Sequence, residues 1–598
     1  MAEPKHPPRS TAATSRMPTM QSSPLPRELV VVAKPAAELR VGAEGLTSAA
    51  GTDVSSLASL LSSQGASLRP LFGISEDKLR ETTTTMAAAT EEEELKLHLF
   101  YKVEADDEKL DQLAEGLRTQ AVVDAAFVKP PTMFAMAVAP QISAVETMNE
   151  MLPVTLAPPV VTPDFTPRQL YVDPAPGGID ARYAWTVPGG TGTGVRIVDV
   201  EGGWNFSQED LLQNQGGVAG GTATTDPGWV NHGTAVQGEI GADRNSFGCT
   251  GIVPDAFFRG VSIFGGLGSS GAIVQAANLL GPGDLILIEL HRPGPRFNFQ
   301  APQGQRGFIA MEWWPDDYQA IRYAVNKGVT VIEAGGNGAE NLDDAIYDVN
   351  PAAPNGPFPA WWQNPYRRNQ LDSGAVLVGA GAPPPGTHGR NWGPDRSRLD
   401  FSNYGSAIDA QGWGREVTTC GYGDLQGGIS QNQYYTDQFS GTSSASPIVV
   451  GAVASVQGVL RAHGRIPLSP ARARDLLRNT GSPQQDGPGM PRTQRIGNRP
   501  NLRQLIAVAL QTGYWVGVQF TGTLQANQTQ RWFTYNWPAH WHVLWTVVPT
   551  TPRPGAPEIR YNVEVERASD RFITYWITIS NLTNVPVNID GRFAVLGW

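Results

Sequence analysis

The chain has 598 residues, enough for more than one domain, and a formal net charge of -11 at pH 7. With no block of basic residues, that balance argues against nucleic acid as a partner. Its two cysteines, Cys249 and Cys420, form no disulfide framework and no metal-ligand pattern, and the longest apolar run, 448–460, is interrupted by Gln457 and too short to span a bilayer.

Residues 1–27 are basic in places but lack the apolar core of a secretory signal, and read as a disordered tail. Location is therefore left open between export by another route and retention in the cytoplasm. Residues 28–131 follow with strand patterns at 28–32, 67–72, 95–103 and 122–128 and helical spacing at 54–64 and 107–118. The order β, α, β, β, α, β is a split βαβ arrangement and predicts a small α+β domain. Residues 132–165 turn rich in proline and read as an extended linker.

Residues 166–512 read as one α/β domain. The runs 195–200, 284–290, 329–333 and 375–379 are continuously apolar, as in a parallel sheet covered on both faces, with a helix candidate at 318–326. VRIVDV carries Asp199 at a strand end; NHGTAVQGEIGA predicts a helix beginning at His232; GVTVIEAGGNG brings Asn337 just past another strand. GTSSASP then sets Ser443 at the head of the apolar helical run IVVGAVASVQGVL. Ser469, Pro470 and Gly481 cap, open and stop a later helix, and 502–510 closes the domain. Two insertions, 291–317 and 339–372, are candidates for cleft walls, and their residues Trp313, Trp314, Trp361 and Trp362 read chiefly as packing. Residues 513–598 alternate in short aromatic runs that predict a small β-sandwich; His540 and His542 share a strand face there without a third metal ligand.

A serine hydroxyl is a poor nucleophile until an imidazole takes its proton and a carboxylate orients that imidazole. Asp199, His232 and Ser443 supply those groups in the order Asp, His, Ser. Together VRIVDV, NHGTAVQG, EAGGNG and SGTSSASP resemble the four active-site blocks of the subtilisin-like serine peptidases, over 166–511. The resemblance implies a parallel sheet flanked by helices and an endopeptidase acting on protein or peptide. In it Ser443 attacks, His232 is the base, Asp199 orients His232, and Asn337 with the Ser443 backbone N–H stabilises the oxyanion. It further implies that 28–131 is a prodomain acting as an intramolecular inhibitor; a monomer is expected.

Departures from the family pattern lie at Val200, Glu201 and Ala235, and at 289–291, where a serine, a small residue and glycine would pair with substrate backbone. Cleft specificity is left open by them. ADRNSFGCTGIVP resembles the family's calcium loop, which implies a Ca²⁺ held by the Asn245 side chain, the carbonyls of Asp243, Phe247 and Cys249, and the carboxylate of Asp210; Gln169 aligns more loosely. Other readings are acyl transfer to an amine, as in peptide ligation or cyclisation, and a catalytically silent binding protein. The sedolisin-like group, with a glutamate base and an oxyanion-hole aspartate, is disfavoured by His232 and Asn337.

Overall fold

The computed structural model describes residues 24–42, 45–90, 95–136, 161–301, 304–511, 515–539, 541–551, 555–569 and 572–596. Most of the predicted tail, residues 137–160 of the predicted linker, and His540 lie outside the described residues.

The chain begins with β1 (Glu28–Ala33), a hairpin of β2 (Leu39–Gly42) and β3 (Gly45–Ser48), α1 (Ser55–Ser63), β4 (Ser67–Pro70), α2 (Glu76–Thr90), β5 (Phe100–Glu104), α3 (Leu110–Arg118) and β6 (Val123–Lys129). Strands β4, β5, β1 and β6 lie side by side in that order, all antiparallel. Every residue of β1 is buried, because its two faces serve different cores. Leu29 and Val31 pack with Leu57, Leu61, Leu113 and Leu117 of α1 and α3, whereas Val30 and Val32 join the core of the larger domain. The hairpin and α2 escape the sequence pattern; α2 includes the run Thr82 to Thr85, residues of weak helix propensity.

A two-residue strand, β7 (Met133–Phe134), precedes the larger domain, which contains α4 (Ala181–Ala184), β8 (Arg196–Glu201), β9 (Gln215–Gly220), α5 (Pro227–Gly241), β10 (Phe257–Ser262), α6 (Gly268–Asn278), β11 (Leu285–Ile288), β12 (Leu290–Pro293), β13 (Phe308–Ala310), α7 (Pro315–Asn326), β14 (Thr330–Ala334), β15 (Val376–Gly381), β16 (Ile408–Trp413), β17 (Val417–Cys420), β18 (Tyr435–Phe439), α8 (Thr442–Ala462), α9 (Pro470–Asn479) and α10 (Leu502–Gln511). Seven of these strands form a parallel sheet in the order β16, β15, β14, β11, β8, β10, β9. Alternation divides its apolar residues between two helical layers. Val198, Val200, Ile286 and Ile288 share a core with Ile273 of α6 and Ile321 of α7; Ile197, Leu285, Leu287 and Ile332 share another with Val236 of α5 and Val449 of α8. Helix α8 is long and apolar enough to cross a membrane, yet its apolar window is fully buried in the protein.

The last strands, β19 (Trp515–Leu524), β20 (Thr529–Pro538), β21 (Val543–Pro549), β22 (Ile559–Arg567), β23 (Phe572–Asn581) and β24 (Val587–Val595), make two antiparallel three-stranded sheets, β19-β24-β21 and β20-β23-β22. Leu524, Trp537, Trp545, Ile577 and Ile589 from both sheets form one core.

Candidate active site

Period-two alternation on β8 sends the Asp199 and Glu201 side chains to the same side of the sheet. The histidine helix α5 opens at Pro227, before the expected start at His232, because Asp226 accepts the Gly228 N–H at 2.8 Å and proline is preset for the first helical position. Its Nδ1 lies 2.6 Å from Glu201 Oε1, both side chains being fully buried. The expected direct pairing of Asp199 with His232 is not what the structure contains: Asp199 Oδ2 accepts the Trp204 indole N–H at 2.8 Å. Glu201, further along the same strand face and one methylene longer, reaches the imidazole instead.

Ser443 occupies the second position of α8, entered through Gly441 at φ 109, a left-handed conformation suited to glycine. Neither Ser443 Oγ nor His232 Nε2 completes a hydrogen bond. Glu289, between β11 and β12, accepts from Ser446 Oγ at 2.5 Å. Asn337 follows β14; its Oδ1 accepts the Thr442 N–H at 2.9 Å, and its Nδ2 donates to Gln305 Oε1 at 2.9 Å. The four residues singled out by sequence thus border one site, and Glu201, Glu289 and Gln305 join them.

The cleft holds part of the same chain. Strand β7 pairs antiparallel with β12, Leu290 opposite Phe134 and His291 opposite Met133. Phe134 stacks on the His232 ring at 4.4 Å between centroids and meets Trp229 edge-on at 4.8 Å. Gln305 Nε2 donates to the Phe134 carbonyl at 2.9 Å, the Ser443 backbone N–H donates to the Ala135 carbonyl at 3.2 Å, and Tyr422 contacts the Met136 sulfur at 3.0 Å. Residues 132–136, read from sequence as the start of the linker, are therefore cleft-bound. Gln305 sits in the first insertion, where nothing in the local sequence marks it out.

Further contacts fasten the N-terminal unit. Lys129 Nζ lies 2.6 Å from Asp316 and 2.9 Å from Asp317 of α7, while Arg292 of β12 reaches Glu28 of β1 at 2.9 Å, all buried. From the second insertion, Pro354 O accepts the Val128 N–H at 3.0 Å, and Phe358 meets Phe127 edge-on at 5.0 Å. Trp313, Trp314 and Trp362 are buried against one another and Phe358.

Burial sets the electrostatics of this closed cleft. It pushes Asp199 up to about 7, against the bond from Trp204, and pushes Glu201 and Glu289 well above the carboxylate range, with the Asp199 charge adding to both. It drives His232 well below its usual value, helped by His291, and takes His291 itself down to about 3. The closed site thus favours uncharged imidazoles and protonated acids.

The residues expected around calcium gather in one loop. Asp210 accepts Asn245 Nδ2 and the Cys249 N–H, each at 2.6 Å; Phe247 N donates to Asn245 Oδ1 at 2.9 Å; the Asp243 N–H donates to the Asp210 carbonyl at 2.8 Å. Among the described residues no cationic side chain pairs with Asp210, and burial pushes its carboxyl up to about 8; both of its oxygens and Asn245 Oδ1 accept hydrogen bonds from within the loop. Gln169 is engaged instead with Tyr171 and Thr250.

Residues 205–498 match the Peptidase_S8 profile, the Subtilase family. Alkaline elastase YaB of Bacillus sp. (strain YaB) is 30% identical over 278 residues, 45% of this chain and 56% of that protein. Subtilisin Savinase of Lederbergia lenta is 28% identical over 272 residues, 45% of this chain and 77% of that protein. The chain spans about half the length of several curated relatives it matches. Among solved structures, fervidolysin from Fervidobacterium pennivorans, described as a keratinolytic enzyme related to subtilisin, aligns over 96% of this chain and 70% of its own at 14% identity, with a TM-score of 0.46.

Proposed function

Residues 205–498 belong to the subtilase family, and from that premise we propose that this protein is a serine endopeptidase working through an acyl-enzyme on Ser443, with its own N-terminal unit as first substrate and inhibitor. Ser443 Oγ passes its proton to His232 Nε2 and attacks the carbonyl carbon. The amine leaves with that proton, and water, deprotonated by the same imidazole, releases the acyl group. The Ser443 N–H and the Asn337 amide are the donors for the oxyanion, a charge present only beyond the ground state.

One observation carries this reading: the Ala135 carbonyl rests on the Ser443 N–H while Phe134 covers His232. That pose presents the Ala135–Met136 bond to the nucleophile. Ala135 is fully buried, which favours a small residue before the scissile bond in other substrates. The same reading assigns the calcium loop around Asp210 a structural Ca²⁺, held by the Asp210 carboxylate, the Asn245 amide and the carbonyls of Asp243, Phe247 and Cys249. The two C-terminal sheets are taken as an appended β-sandwich. Mass spectrometry of purified chain tests the core of the proposal. A new N-terminus at Met136 is expected in the parent and not in Ser443→Ala, and an intact bond in an otherwise peptidase-active parent refutes self-processing.

A further inference from the structure

The family match begins at residue 205, beyond both carboxyls of β8. It therefore leaves open which of them serves the histidine, and the side-chain geometry differs from the order of the motif. Glu201 Oε1 is 2.6 Å from His232 Nδ1. Asp199 is turned away by the Trp204 indole, whose N–H it accepts at 2.8 Å. That indole is wedged where only glycine leaves room. A Cβ on Gly233, beside His232, would stand 2.7 Å from its ring, and one on Gly260 of β10 equally close. The strand end is fixed in the same way, since a Cβ on Gly202 would meet the Trp229 ring at 2.5 Å. The wedge keeps the histidine helix at a depth that a glutamate two residues beyond Asp199 spans.

Resting on the reading of Ser443 and His232 as the reacting pair, we infer that Glu201, and not Asp199, is the positioning carboxyl of His232. Both carboxyls are fully buried on one strand face, and only Glu201 reaches the imidazole. Glu201 Oε1 accepts the Nδ1–H, which fixes the tautomer that leaves Nε2 free for the serine proton. When that proton arrives, the Nδ1–H remains hydrogen-bonded to Glu201, whose carboxylate charge faces the imidazolium.

Two measurements on the full chain test the assignment. In a Ser443→Ala background, which keeps the chain intact, a proton spectrum should contain a far-downfield imidazole N–H resonance from His232. Glu201→Ala should abolish it, Glu201→Gln, which keeps the acceptor but not the acid, should move it upfield, and Asp199→Asn should leave it present. With Ser443 intact, Glu201→Ala should lower kcat on the order of 10³–10⁴-fold with KM within a few-fold, and Asp199→Asn should lower it less. The inference is overturned if Asp199→Asn abolishes the resonance or gives the larger loss of kcat, or if Glu201→Gln leaves the resonance unmoved. The Gln variant, close to isosteric, stands in should the Ala variant fail to fold. If the parent proves inert toward peptides, the function fails, while the resonance still reads the pairing.

Discussion

Replacing Lys129 by methionine should loosen the N-terminal unit from the larger domain without touching the reacting groups. In the native protein its ammonium stands 2.6 Å from Asp316 and 2.9 Å from Asp317, with Glu28 at 3.8 Å, all out of contact with water. Removing one partner of a buried ion pair costs about 3–5 kcal/mol, because the remaining charge is neither solvated nor matched. Part of that is recovered here: burial, only partly offset by Lys129, already pushes Asp317 up to about 6, so it takes a proton readily once the lysine is gone. The lower limit, about 3 kcal/mol, is then the better figure and corresponds to roughly a hundredfold change in the docking equilibrium. Hydrogen exchange on the full-length Ser443→Ala chain reads this at the Val128 amide, which is protected by Pro354 of the opposing domain. Exchange there should quicken roughly a hundredfold, while β1 amides bonded within the N-terminal sheet change far less. Equal protection at Val128 in both proteins would refute the argument that this ion cluster holds the two units together.

Asn337→Ala should cost about 3 kcal/mol in the barrier, read as a kcat loss of 10²–10³-fold with little change in KM. Gln305→Ala removes a donor to the Phe134 carbonyl and the partner of the Asn337 amide together, so kcat/KM on peptide substrates should fall through both KM and kcat. Asp372 is half-buried, which raises its pKa, but bonds and charge from Arg474, with the charge of Arg368, bring it down to about 2. A carboxyl depressed in the folded state stabilises above its unfolded value and loses that contribution as pH falls. The stability gap between parent and Asp372→Asn, about 2 kcal/mol near neutrality, should therefore narrow from about pH 4 towards pH 2 in denaturant titrations. Chelation should lower the melting temperature of the parent and leave Asp210→Asn unmoved; an unchanged parent removes calcium from the account.

The parallel sheet was legible because β11 and β15 are apolar without alternation and β8 and β14 carry apolar residues on both faces, a pattern few soluble structures other than a twice-covered sheet accept. Ser443 and Asn337 were legible for a related reason: each sits at a glycine-marked junction of strand or helix. The partner of His232 was not. Asp199 and Glu201 share a strand face, so sequence admits either, and the choice depends on how deeply α5 settles against Trp204. Strand β7 escaped because two residues carry no period, and its identity as a strand comes wholly from β12. Gln305 is positioned by the tertiary path of an insertion whose composition marks only a loop.

Strand β1 lends one face to its own small sheet and the other to the hydrophobic interior next door. On the proposed reading, severing the chain at residue 135 would therefore not free the cleft by itself. The cut fragment would still be held by Val30, Val32, Phe127 and the Lys129 cluster, so scission and activation become separate events. The delay between them would be governed by the off-rate of the fragment, making the latent period a property of interior packing rather than of the speed of the chemistry.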